Sequence, residues 1–239
     1  MTMHKAKIGF WLETPHQQAC EIAALVGFDL VIFDMEHGAL DDRALDHLIP
    51  FCAGIGLSTY VRVADSTRPL IQAALDLGAD GIIVPQIRDL NHARETAYLA
   101  KYPPQGSRGL GYGRPQRYAA ATDAFIAEEN RTRHCYLMIE TAVALAEVDD
   151  IAQLPCVDGL FIGPADLSLA RGRGVFDADA EDLADMQKIA AAAARHGKLW
   201  AAAAGNKLYR EAALSAGPAF VTSADDLSAL KAGFTQLLG

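Results

Sequence analysis

The residues that could do chemistry stand where short apolar runs give way to loops. LVIFD (30–34) runs into Met35-Glu36-His37-Gly38, and CYLMI (135–139) into Glu140-Thr141. GLFIG (159–163) runs into Pro164-Ala165-Asp166, and Arg62 sits between two valines in TYVRV (59–63). Glu140 and Asp166 are oxygen ligands of the kind that suit Mg²⁺, Mn²⁺ or Co²⁺, with water or substrate filling the other positions. Singly, each could cap a helix or pair with an arginine; together, at neighbouring strand ends, they point to a divalent metal. His37 is the one histidine at a strand end with carboxylates beside it. Asp34, three residues earlier, could accept one ring N–H and leave the other nitrogen basic. The remaining histidines (His4, His16, His47, His92, His134 and His196) are expected to make ordinary local hydrogen bonds. An arginine in an apolar strand needs an anion. For Arg62 that anion is either a substrate carboxylate gripped in bidentate fashion or a structural partner, Asp34 or Glu36. The turn Gly163-Pro164-Ala165, opening towards a helix, offers backbone N–H groups to a carboxylate.

Something must bring these ends together. Eight short runs rich in Val, Ile and Phe recur: 8–12, 30–34, 59–63, 81–85, 135–139, 159–163, 198–202 and 219–223. They are continuously apolar rather than alternating, as parallel strands covered on both faces are. Helical patterns lie between them at 16–26, 68–77, 179–196 and 206–215. Ser66 and Thr67 are N-cap candidates for the second of these, and Gly78 follows its end. ALVGFDLVIFD, LGADGIIVP and AALSAGPAFVTS repeat one grammar of helix, glycine, tight turn and strand. Eight strands alternating with helices predict a (β/α)8 TIM barrel occupying residues 1–239 as one domain. An open doubly wound sheet is the runner-up, but no G-x-G-x-x-G follows the first strand. Residues 101–134, rich in Gly, Pro, Arg and Tyr, are long for a βα connection; such loops are often functional, and a surface excursion packed against another subunit is the alternative. In a barrel the strand ends share one mouth, and strand four adds Pro85-Gln86 to it.

Bulk properties narrow the classes. The chain has 239 residues, 51% of them hydrophobic, and a net charge of −9, which disfavours a nucleic-acid surface. No apolar stretch is long enough for a membrane span. The first residues do not read as an export signal, and Cys20, Cys52, Cys135 and Cys156 form no C-x-x-C pair. A cytoplasmic protein with reduced thiols is expected.

The segments GFDLVIFDMEHG (27–38), YVRV (60–63), DLGADGIIVPQI (76–87), YPPQGSRGLG (102–111), MIET (138–141) and VDGLFIGPADLS (157–168) span most of the chain. Together they resemble the HpcH/HpaI family of class II pyruvate aldolases, of the 4-hydroxy-2-oxoheptane-1,7-dioate aldolase type. The resemblance implies a divalent metal on Glu140 and Asp166, a His37–Asp34 base, and Arg62 contacting pyruvate. It also implies a homo-oligomer, commonly a hexamer, that joins or separates pyruvate and an aldehyde. Met138 stands where relatives often carry Gln, and Met35 where Gly is common. A Schiff-base aldolase would need a strand-end lysine; Lys198 begins a strand, and Lys101 and Lys207 lie in loop or helix. A citryl- or malyl-type acyl-CoA lyase of the related group and a catalytically inactive binding barrel are the other readings.

Overall fold

A computed structural model describes residues 6–239. Among them eight strands form one closed, all-parallel barrel in chain order: β1 (Lys7–Leu12), β2 (Leu30–Asp34), β3 (Ser58–Arg62), β4 (Gly81–Val84), β5 (His134–Ile139), β6 (Gly159–Ile162), β7 (Leu199–Ala203) and β8 (Phe220–Asp225). Each observed strand lies within about two residues of its expected run. Helices cover the outside: α1 (Gln17–Val26), α2 (Asp42–Gly54), α3 (Arg68–Asp76), α4 (Leu90–Ala100), α5 (Asp123–Thr132), α6 (Ala142–Ala146), α7 (Val148–Gln153), α8 (Pro164–Ala170), α9 (Ala180–Arg195), α10 (Lys207–Ser215) and α11 (Asp226–Leu238). The (β/α)8 barrel expected from the sequence is therefore observed.

The apolar strands fill both sides of the sheet. Leu30, Ile32, Tyr60, Ile83, Tyr136, Met138, Phe161 and Phe220 pack inside the barrel. Val31, Phe33, Val61, Ile82, Val84, Leu137 and Ile162 face the helices in a larger outer core. Burial on both faces is why no in–out alternation marks these strands.

The repeated glycine grammar has a structural use at the closed end of the barrel. Gly27, Gly78 and Gly217 adopt positive φ and end α1, α3 and α10. An aspartate then clamps the preceding strand at three seams. Asp29, Asp80 and Asp158 accept the backbone N–H of Ile8, Thr59 and Cys135 at 2.8, 2.9 and 2.7 Å. Each aspartate's own N–H returns to the same residue's carbonyl. At the β7–β8 seam Ala219 stands in this place: its N–H donates to the Trp200 carbonyl, with no side-chain clamp. Lys101, buried beside the β5–β6 seam, pairs with Asp158 at 2.7 Å.

Two expectations are corrected. Residues 101–133 are not a βα connection: they join α4 to β5, contain α5, and fold along the outer wall. Arg68 holds Ser107, while Arg114 bonds the Leu77 carbonyl and Asp46. Thr67 does occupy the N-cap of α3, but its side chain makes no capping bond.

All four cysteines are free and buried. No helix among the described residues is long and apolar enough to cross a membrane. α11 leaves Leu227, Leu230, Phe234 and Leu237 exposed, and with α1 it lines an apolar groove of about 350 Å³.

Candidate functional site

Strand register builds the site. Asp34 and Arg62 are direct partners across β2 and β3. The Arg62 guanidinium, nearly buried, donates from Nε to Asp34 Oδ1 at 2.9 Å and from Nη2 to Asp34 Oδ2 at 2.6 Å. Its Nη1 lies 3.2 Å from Glu36 Oε2. Burial alone would discourage its charge, but the bonds to Asp34 outweigh that and hold its pKa above the ordinary arginine value. The sequence left Arg62 with a choice of anions, and the chain supplies both internal ones.

Asp34 is correspondingly occupied. Its Oδ1 also accepts the backbone N–H groups of Glu36 and His37, at 3.0 and 3.2 Å. The expected bond from Asp34 to the His37 ring is not formed: Asp34 is buried and turned to Arg62 and two backbone amides. Instead the His37 ring is mostly exposed, with Nε2 3.9 Å from Glu36 Oε2. Glu36 thus stands between guanidinium and imidazole. Burial raises its pKa, and Arg62 and His37 pull against that rise.

Register also places Glu140. Ile139 pairs with Ile162, so Glu140 and Gly163 are the next residues on adjoining strands. A Cβ on Gly163 would stand 2.5 Å from Glu140 Oε2 and 2.8 Å from Met138 Cε. Only glycine leaves that carboxylate room. Glu140 is 2% exposed. Its Oε1 accepts the Gln86 backbone N–H at 2.5 Å, while its Oε2 is buried without a hydrogen-bond partner. Burial pushes its pKa up to about 7; the Gln86 bond lowers it, and Glu36 and Asp166 raise it further. A buried carboxylate oxygen with no donor, among other carboxylates, is the donor set a divalent cation would satisfy. Asp166 lies in the first turn of α8, half-buried; Pro164 is buried and Ala165 exposed.

Other contributors escaped the sequence reading. Trp11, at the end of β1, lies 4.6 Å from the Arg62 guanidinium and donates from Nε1 to Thr222 Oγ1 at 2.7 Å. Its ring meets Phe161 edge-on, so an aromatic floor underlies the arginine. Glu13 follows β1, and burial, then Asp225 and Asp34, raise its pKa. Both could have been found by applying the strand-end rule to β1. Met138 is buried inside the barrel beneath the mouth, and Met35 packs against the outer core.

The other histidines divide. His92 bonds Ser66 Oγ and the Arg88 N–H, His134 bonds the Tyr60 hydroxyl, and His196 pairs with Asp149. His16 and His47 are exposed, and His4 lies outside the described residues. Lys198 donates to the Leu154 and Val157 carbonyls at the closed end, away from the mouth.

Fold and site define a parallel (β/α)8 barrel with an acidic mouth built around one held arginine. The HpcH/HpaI aldolase/citrate lyase family model matches residues 7–217, and the chain belongs to that family. It is 38% identical to the 2-dehydro-3,6-dideoxy-6-sulfogluconate aldolase of Pseudomonas putida over 70% of this chain and 66% of that protein. It is 35% identical to the 2-keto-3-deoxy-L-rhamnonate aldolase of Klebsiella pneumoniae subsp. pneumoniae over 70% of this chain and 63% of that one. These matches thus span just under two thirds of each relative's length. The HpcH/HpaI aldolase from Desulfitobacterium hafniense superposes with a TM-score of 0.90 at 28% identity, covering 98% of this chain and 92% of that one.

Proposed function

We propose that this protein is a divalent-metal-dependent carbon–carbon lyase that cleaves 4-hydroxy-2-oxo acids to pyruvate and an aldehyde, and catalyses the reverse addition. The observation that carries this reading is the buried, partnerless Oε2 of Glu140, with Asp166 and Glu36 near it and Arg62 across the mouth. Glu140 and Asp166 would hold the metal. When bound, such an ion supplies Lewis acidity to a 2-oxo acid.

The chain's own residues account for the rest. The first-turn N–H groups of α8, at Ala165 and Asp166, lack intrahelical acceptors and would bind the pyruvyl carboxylate, with Gly163 and Pro164 shaping the turn. The outer edge of Arg62 would meet the keto oxygen, where negative charge grows as the C3–C4 bond breaks. Asp34 and Glu36 fix that guanidinium, so it need not reorganise. His37 would take the proton from the 4-hydroxyl in cleavage, with Glu36 steadying the imidazolium that forms. The floor of Trp11 and Phe161 would shield this face from water.

The exposed apolar residues of α1 and α11 support a homo-oligomer, which we take to be a hexamer. The acidic balance of the chain supports small-molecule substrates over nucleic acid. The direct test of the pyruvate half is exchange of its methyl protons in deuterated water, with and without chelator. Exchange that requires a divalent ion is expected; exchange unaffected by exhaustive chelation would refute the metal, and no exchange under any condition would refute the reading.

A further inference from the structure

The turn between β4 and α4 carries the Gln86 N–H to Glu140 Oε1, the one donor that carboxylate has among the described residues. Two further bonds tie this turn towards β5. Thr141 Oγ1 donates to the Ile87 carbonyl at 2.9 Å, and the Leu90 N–H donates to Glu147 Oε2 at 2.6 Å. Towards β3, one side chain makes the tie. His92, in the first turn of α4 and 8% exposed, accepts the Arg88 N–H on Nδ1 at 3.2 Å. Its Nε2 lies 2.8 Å from Ser66 Oγ, in the loop between β3 and α3.

The two bonds fix the tautomer. A backbone N–H only donates, so Nδ1 carries the lone pair and the ring proton sits on Nε2, donating to Ser66. A serine that accepts from a histidine is not activated by it. This Ser–His pair is therefore a strut and not a nucleophile, and the Ser66 hydroxyl turns to Asp65 Oδ1 at 3.3 Å. The strut needs a neutral ring. Burial and Arg88 lower the His92 pKa, outweighing Asp89, Glu95 on α4 and Asp65 in the β3–α3 loop, which raise it. A second ring proton would meet the Arg88 N–H donor to donor.

We infer that His92 is a positioning residue: as a neutral imidazole it ties the β3–α3 loop to the turn after β4, and so holds the backbone amide on which Glu140 depends. Its effect on cleavage rests on the aldolase reading above; the tie itself does not.

Hydrogen–deuterium exchange in chelator, read on peptides of the β4–α4 turn between pH 8 and pH 5, tests the tie without substrate. After correction for the intrinsic pH dependence, the wild-type turn should exchange about tenfold faster at the acid end, the weight of one hydrogen bond. His92→Asn leaves an amide oxygen to accept the Arg88 N–H and gains no proton, so its turn should stay equally protected at both ends. Ser66→Ala spares the Nδ1 bond; it should keep the wild-type pH dependence in the turn and loosen the β3–α3 loop. A wild-type turn without acid loss, the same loss in a folded His92→Asn, or an unchanged β3–α3 loop in Ser66→Ala would each overturn the tie. Methyl exchange of pyruvate over the same pH range reads the effect on the reaction. The wild type should lose turnover towards acid pH more steeply than His92→Asn, and parallel profiles would overturn the positioning role. No methyl exchange by either protein removes the aldolase reading and leaves the tie to the deuterium result.

Discussion

Glu140→Gln should stabilise the metal-free protein at pH 8. The variant imitates the protonated acid: the amide oxygen can still accept from the Gln86 N–H, and no charge sits on the partnerless side. In the folded wild type this carboxyl has its pKa pushed up to about 7 from the ordinary glutamate value of 4.5, chiefly by burial. The native state therefore holds the proton more tightly than the unfolded chain. The sign follows: this group's contribution to stability is largest below the unfolded pKa and is lost as pH rises through the folded value. At about 1.4 kcal/mol per unit, the loss between pH 4.5 and pH 7 approaches ~3 kcal/mol. For a chain of this size, each kcal/mol moves Tm by roughly 2–4 °C. Thermal unfolding with a chelator present should thus give Tm about 6–12 °C higher for Glu140→Gln than for wild type at pH 8, and little difference near pH 4.5. Adding Mg²⁺ or Mn²⁺ at pH 8 should raise the wild-type Tm and leave the variant unmoved. A variant no more stable than wild type at pH 8 in chelator would refute the argument that an uncompensated charge sits there.

His37→Ala should lower turnover by about 10²- to 10⁴-fold, the usual range for a general base, with divalent-ion binding intact by titration calorimetry; near-normal turnover would transfer the role elsewhere. Arg62→Lys keeps a charge but cannot hold Asp34 through two parallel bonds. Both kcat and KM should suffer, whereas a purely structural role would lower Tm and spare the kinetics of the folded fraction. Asp158→Ala strips buried Lys101 of its counter-ion and Cys135 of its acceptor. Urea unfolding should show a loss of about 3 kcal/mol, typical of a broken buried pair, and a loss under 1 kcal/mol would mean the clamp carries little.

The barrel was legible because its strands are buried on both faces and its turns repeat helix, glycine, tight turn and strand, with an aspartate before the strand after Gly27 and Gly78. The function of that aspartate was not legible: only the structure shows that it reaches back to the neighbouring strand. The loop after α4 was misread as a βα connection because α4 had gone unassigned. LNHARETAYLA carries His, Arg and Glu among its apolar residues, so its buried face is mostly alanine and threonine. The residues of the mouth were legible by type and strand-end position. Their pairing was not, because register decides it. Asp34 sits three residues from His37 but directly opposite Arg62, and the charged partner captures the carboxylate. The need for Gly163 depends on the same relation, since it lies across from Glu140.

The central claim is carbon–carbon cleavage that depends on the Glu140 site. It is tested most directly by pyruvate release from 2-keto-3-deoxy sugar acids, measured for wild type and Glu140→Gln in chelator and after adding back Mg²⁺, Mn²⁺ or Co²⁺. The account predicts release by the wild type only with a divalent ion, and none by a folded Glu140→Gln under either condition. Pyruvate released at the wild-type rate by Glu140→Gln would contradict it.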